Sequence, residues 1–192
     1  MQRAFNVATP LCGRLFDSMA FDSGSQLARQ TFFKPHVEVE LAFVMKDDLR
    51  QPGLSIFDVL QATAFVQPAL ELIDYRTVKP RPIADMVADN TACAGAILGG
   101  RPVSPAEIDL HWVAATLSRN GQIEKTGVSA AVLGHPVNGI IALAEALATV
   151  GLLIKAGDVI LSGSFTRMLE VDSGDWIVAD HGTLGTIEAM IS

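Results

Sequence analysis

An α+β domain richer in strand than in helix is predicted for this 192-residue chain by three features. Short apolar runs alternate with Gly-containing turns along the C-terminal part. An Asn120-Gly121 dipeptide separates two alternating segments. Helical spacing with matching caps occurs in few places.

Taken in order, residues 37–44, VEVELAFV, read as a strand. Its alternation puts Val37, Val39, Leu41 and Phe43 on one face and Glu38, Glu40, Ala42 and Val44 on the other. Ser55 followed by Asp58 resembles a capping box, and Ile56, Val59, Leu60 and Thr63 recur at helical spacing until Pro68 intervenes. An extended stretch, ALELID, follows and carries Glu71. Residues 109–128 alternate up to Asn120-Gly121, the strongest short hairpin signal, and are expected to form two antiparallel strands. His135-Pro136 opens the run VNGIIALAEALATVG, with Pro136 suited to the first helical position and Gly151 to the C-terminal cap. The runs VILSGS, MLEV, WIVAD and TIEAMI then predict a Gly-rich meander of strands.

With 49% hydrophobic residues and no linker or repeat, residues 1–192 are expected to form one domain. The 14 basic and 21 acidic side chains give a net charge of -7, which leaves no electrostatic footprint for nucleic acid or an anionic membrane. Small-molecule partners are expected instead. Cys12 and Cys93 are too few and too far apart for a disulfide scaffold or a thiolate cage, and point to a reducing compartment. The opening MQRAFNVATPLCGRLF has no unbroken apolar core, and nowhere do about 18 apolar residues run together. A cytoplasmic location is therefore expected.

Glu38 and Glu40 share a strand face at about 7 Å between their backbones, close enough to converge on one ion if a third ligand arrives. Hard oxygen donors would select Mg²⁺ or Mn²⁺. The E-x-E pattern alone leaves open a solvated strand face. Glu71 sits in an apolar stretch where an unpaired carboxylate would be costly to bury, so a cation would neutralise it; an outward-facing position on an amphipathic strand is the alternative. The GSFTR turn after a buried strand offers hydroxyls and amides to a carboxylate, which nominates Ser164 and Thr166, against simple turn hydrogen bonds. Asn90 is nominated on similar grounds, against helix capping. His135, just before a helix, is weighted towards a structural cap, and His36, His111 and His181 have no companions at metal-ligand spacing. No P-loop, G-x-S-x-G or G-x-G-x-x-G context occurs.

The strings PHVEVELAFVMKDDL, FDVLQATAFVQPALELID, VADNTACAGAILGGRP, LGHPVNGI and GDVILSGSFTR, in this order and spacing, resemble the 2-keto-4-pentenoate and 2-oxohept-3-ene-1,7-dioate hydratases of the fumarylacetoacetate hydrolase superfamily. The resemblance implies a mixed β-sheet roll or barrel of the C-terminal-domain type with a few flanking helices, and a homo-oligomer, which a mean hydropathy of +0.35 also favours. It implies that Glu38, Glu40 and Glu71 bind the divalent ion. The implied reaction adds water to a 2-hydroxy-2,4-dienoate or 2-oxo-alkenoate in aromatic catabolism, the substrate chelating the ion through its C1 carboxylate and C2 oxygen.

Family members carry a further N-terminal helical segment and a K-x-G-L-T stretch, and the match begins after both. They also read D-x-P-D-Y-G where this chain has ATPLCG, so Leu11 replaces an acidic residue used in proton transfer. Weakened turnover is the resulting expectation, with Asp17 as the local carboxylate to test for proton transfer. Arg167 within SFTR favours seven-carbon diacids, because a guanidinium suits a second carboxylate. Two other readings remain: a decarboxylase of the 4-oxalocrotonate type, and a catalytically weak metal-binding assembly subunit.

Overall fold

The computed structural model describes residues 10–50 and 53–192. Of the ATPLCG stretch, Ala8 and Thr9 therefore lie outside the described residues. The described chain folds as two open mixed sheets and three short α-helices. The first sheet holds β1 (Ala20–Asp22), β3 (Pro35–Met45), β4 (Thr63–Asp74), β5 (Cys93–Leu98) and β8 (Val159–Leu161) in the order β1-β5-β4-β3-β8. β9 (Leu169–Glu170) also pairs with β3. The second sheet runs β2-β11-β10-β6-β7, from β2 (Ser25–Leu27), β11 (Thr186–Ile191), β10 (Trp176–Asp180), β6 (Ala114–Arg119) and β7 (Gln122–Val128).

One apolar cluster joins the sheets. Val37, Val39, Leu41 and Phe43 of β3 meet Leu70 and Leu72 of β4 together with Leu117, Ile177 and Ile187 of the second sheet. These are the β3 residues expected on the apolar face, so the strand reading holds. The arrangement is an open roll: no barrel closes among the described residues, since β1 and β8 end one sheet and β2 and β7 the other. No described helix is long and apolar enough to cross a membrane.

The local signals place most elements. Ser55 and Asp58 form a full capping box on α1 (Ile56–Ala62). Asn120 and Gly121, both at positive φ (53° and 81°), close the β6–β7 hairpin. α3 (Val137–Ala148) follows Pro136, and Gly151 adopts φ 72° beyond its end. Two boundaries differ from expectation. α1 stops at Ala62, well before Pro68, because Thr63 already turns to extended backbone and donates its hydroxyl to Val59 O at 2.7 Å. Pro68 then lies inside β4, just before pairing with β5 begins at Ala69, where a missing N–H costs least. Residues 110–112 form a 3-10 turn instead of strand, started by the Asp109 side chain accepting from His111 N.

The other face of the β3–β4 ladder is covered differently. Ile73 and Tyr75 pack there with Ala92 and with Met86 from α2 (Ile83–Ala88).

Candidate metal centre

Strand pairing assembles three carboxylates. In the antiparallel β3–β4 register Glu38 is opposite Glu71 and Glu40 opposite Ala69, so all three glutamates project from the face away from the apolar core. Each offers a carboxylate oxygen, and these oxygens lie within 4.8 Å of one another. Glu40 is only 2% exposed, so the solvated-face alternative does not describe it.

The loop after β8 closes over this pair of strands. Gly163 N donates to Glu40 Oε2 at 2.7 Å, and the Ser164 side chain lies beside the Glu38 carboxylate. Ser162 N donates to Leu41 O at 3.0 Å, Phe165 N to Val39 O at 3.2 Å, and Val39 N to Thr166 Oγ1 at 3.1 Å. The segment is thus stitched to β3 on either side of Glu40. Two glycines allow the approach: a Cβ at Gly127 would stand 1.8 Å from Phe165 O, and one at Gly139 would stand 2.1 Å from Ser162 O. Neither glycine was singled out from the sequence. Their signal, a glycine inside a strand and another in a helix's first turn, is visible there but does not say what approaches.

The electrostatics of the cluster call for a cation. Burial, then the charge of Glu71, pushes Glu38 up to about 7, with the Ser164 hydroxyl opposing. The same two causes hold Glu40 well above the usual carboxylate range, against the Gly163 amide, and burial raises Glu71. One buried and two half-buried carboxylates within a few ångströms cannot all ionise readily without a counter-charge. Hard oxygen donors converging from one side are the set that Mg²⁺ or Mn²⁺ favours, so these residues fit such an ion. Among the described residues this is the one such grouping of His, Cys, Asp and Glu.

The remaining nominated residues are spread around it. Ser164 Oγ donates its one proton to Thr166 O at 2.8 Å and accepts from Thr166 N at 3.2 Å, which is the turn role weighed against substrate contact for it. Thr166 Oγ1 accepts from Val39 N and keeps its own hydroxyl proton available. Arg167 is exposed and has no ion-pair partner among the described residues. Asn90 holds the N-terminal stretch: its Oδ1 accepts from Arg14 N at 2.7 Å and its Nδ2 donates to Arg14 O at 2.8 Å. It follows α2 at φ 54°, with Thr91 and Ala92 also left-handed. Asp17 is exposed on the 3-10 turn Asp17–Met19 and makes no hydrogen bond or ion pair to the glutamates. His135 Nδ1 accepts from Val137 N at 3.2 Å, the capping role expected for it.

Sequence reasoning missed Cys93 and Tyr75. The Cys93 thiol sits beside Glu71, and burial followed by the Glu71 charge pushes it up to about 12, which keeps it neutral. A register shift between Leu72 and Ile73 brings it there, and no sequence signal marks that shift. Both cysteines are free. A cavity of about 360 Å³ lined by Met19, Phe33, Asp74, Arg76, Asn90 and Cys93 opens on the other side of that thiol.

Comparison with known proteins agrees with this geometry. Over 194 residues the chain is 47% identical to the 2-oxo-hept-4-ene-1,7-dioate hydratase of Escherichia coli, covering 97% of this chain and 73% of that protein. It is 37% identical to the 2-keto-4-pentenoate hydratase of Paraburkholderia xenovorans (strain LB400), covering 97% and 70%. The crystal structure of 4-oxalocrotonate decarboxylase from Pseudomonas putida G7, complexed with magnesium and adipate, superposes with a TM-score of 0.96 at 33% identity, covering 100% of this chain and 73% of that one. The family model described as fumarylacetoacetate (FAA) hydrolase C-terminal matches residues 6–192, and the chain belongs to that family.

Proposed function

We propose that this protein is a divalent-metal-dependent hydro-lyase that adds water to a 2-hydroxy-2,4-dienoate or 2-oxo-alkenoate such as 2-oxohept-3-ene-1,7-dioate. The observation that carries the reading is the trio Glu38, Glu40 and Glu71, brought together on one sheet face with Glu40 buried under the 162–167 loop. Resemblance to two hydratases, one of them at 47% identity, supports the reaction class.

Glu38, Glu40 and Glu71 would hold Mg²⁺ or Mn²⁺. When bound, such an ion stabilises the negative charge that develops on the 2-oxygen of the substrate. The Gly163 amide fixes the Glu40 carboxylate, and the stitched loop shields it from bulk water. Thr166, with its proton free, and Arg167 are the side chains of that loop we assign to the substrate wall. Asn90 is assigned to the same pocket through the segment it anchors at Arg14. Hydration requires a proton to reach carbon and water to reach C4. Asp17 is the carboxylate we assign to proton transfer, with Asp17→Asn as its test.

Mechanically similar decarboxylation is the second reading, favoured by the TM-score of 0.96 to a 4-oxalocrotonate decarboxylase. Product analysis with a 2-hydroxydienoate diacid and Mg²⁺ separates the two. A 4-hydroxy-2-oxo acid supports hydration, and release of CO₂ supports the alternative. We further read the protein as a cytoplasmic homo-oligomer, since Phe33, Phe57, Val78 and Trp112 leave apolar surface exposed. A monomeric mass by light scattering at micromolar concentration would overturn the oligomer.

A further inference from the structure

Tyr75 and Arg81 lie on the same face of the β3–β4 ladder as the three glutamates, towards one end of it. Glu71, Ile73 and Tyr75 alternate along one side of the chain, and Tyr75 packs with Ile73, Met86 and Ala92 on that face. The Arg81 guanidinium is seated over the Tyr75 ring at 4.1 Å, and its Nε donates to Thr77 O at 2.9 Å. The His36 ring meets the Tyr75 ring edge-on at 5.1 Å, and the Tyr75 hydroxyl bonds to Met168 Sδ at 3.4 Å. The loop that covers Glu38 and Glu40 therefore also reaches the Tyr75 end.

Arg81 is placed by a stack and one hydrogen bond, yet it has no carboxylate within ion-pair distance among the described residues. An arginine fixed in this way, with neither terminal amino group hydrogen-bonded among the described residues, is prepared for an anion from outside the protein.

The backbone spacing suits a long anion. Four residues of strand separate Glu71 from Tyr75, about 13 Å. A seven-carbon chain spans roughly 7 to 8 Å from C1 to C7. An ion–oxygen contact of about 2 Å at one end and a charge-assisted N–H···O contact of about 2.8 Å at the other bring it close to the same length.

We propose that Arg81, held on the Tyr75 ring, binds the distal carboxylate of a dioate substrate and sets the preference for dioates over mono-acids of equal length. This rests on the 2-oxo acid reading of the glutamate site. It assigns to Arg81 the role that the sequence suggested for Arg167. Among the described residues Arg167 has neither a stack nor a hydrogen bond to hold its guanidinium, so a distal carboxylate would have to order it at the cost of side-chain entropy.

The test is calorimetry on the Mg²⁺-loaded protein with 2-oxoheptanedioate and with 2-oxoheptanoate, which differ only in the distal carboxylate. In Arg81→Gln the dioate should weaken at least about tenfold while the mono-acid stays within about twofold, erasing the preference. Arg81→Lys, which keeps the charge but loses the fork and the stack, should fall between, and it serves if the Gln variant fails to fold. Arg167→Gln, at the substrate wall, should weaken the dioate and the mono-acid alike and so leave the preference in place. An unchanged ratio in both Arg81 variants, or its loss in Arg167→Gln alone, overturns the inference and leaves the glutamate site standing. If the wild type with Mg²⁺ binds neither ligand, the 2-oxo acid reading itself is overturned, and this inference with it.

Discussion

At the Glu38–Glu71 end of the β3–β4 ladder the three glutamates are all carried by strands, whereas at the Tyr75–Arg81 end they give way to groups on segments that leave the sheet. Glu38, Glu40 and Glu71 are spaced by pairing and pleat, so their convergence follows from register. Tyr75, Arg81 and Met168 come from beyond β4 and from the loop before β9, and they meet through a stack and a sulfur contact. The difference separates two tasks: the strand end can hold an ion in one geometry, and the loop end can vary to suit the length and charge of what is bound.

The sharpest way to break this comparison is to remove a strand-borne ligand. Glu40→Gln should weaken Mg²⁺ binding by more than about a hundredfold, since loss of an outer-shell partner alone typically costs 10–100-fold. Calorimetry measures it, and an affinity equal to wild type would mean that the trio is not the metal site.

Next is the pH dependence of the metal-free protein. Glu38 stands at about 7 in the fold against an ordinary 4.5, and Glu40 and Glu71 are displaced in the same direction. A raised carboxylate pKa means that the folded protein keeps a proton which the unfolded chain has released. This stability is complete below about pH 4.5 and is lost as pH rises through about 7, amounting to at most about 3 kcal/mol for Glu38. Melting temperatures in EDTA should therefore fall from pH 5 to pH 8. Added Mg²⁺ should offset the fall most at the high end, where the carboxylates are ionised. A flat profile in EDTA would show that the cluster is better solvated than its burial implies.

Smaller in effect, and aimed at the loop that spans both ends, is Gly127→Ala. The new methyl would meet Phe165 O at 1.8 Å, so the 162–168 loop must lift. A loss of about 1 to 3 kcal/mol in denaturant unfolding is expected, with weaker Mg²⁺ binding as the Gly163 amide leaves Glu40. Lost stability with unchanged metal affinity would show that the loop does not support the carboxylates.

The same division explains what was legible in the sequence. Period-2 alternation in VEVELAFV placed both β3 glutamates on one face, Asn120-Gly121 gave the hairpin, and Ser55 with Asp58 gave the start of α1. Each is a local rule whose geometry is set within a few residues. That Glu71 joins Glu38 and Glu40 is implied only by the resemblance, and its place opposite Glu38 is not legible at all, because long-range register has no local signature. The end of α1 was misplaced since Pro68 looked like a stop, although the extended preference of residues 63–67 had already won. Cys93, Tyr75 and Arg81 were missed because a register shift and two loops bring them in, and neither a period nor a motif encodes such an approach.

One consequence of the Glu38–Glu71 pairing concerns assembly of the sheet itself. If β3 slid one residue along β4, Val37, Val39 and Leu41 would turn away from the core and the two glutamates of β3 would turn into it. The apolar core and the cation site thus accept the same alignment and reject its neighbours. A cation present during refolding would act as a proofreader: only chains with correctly aligned strands could capture it, and the fraction of protein that binds one ion per chain would report the fidelity of folding.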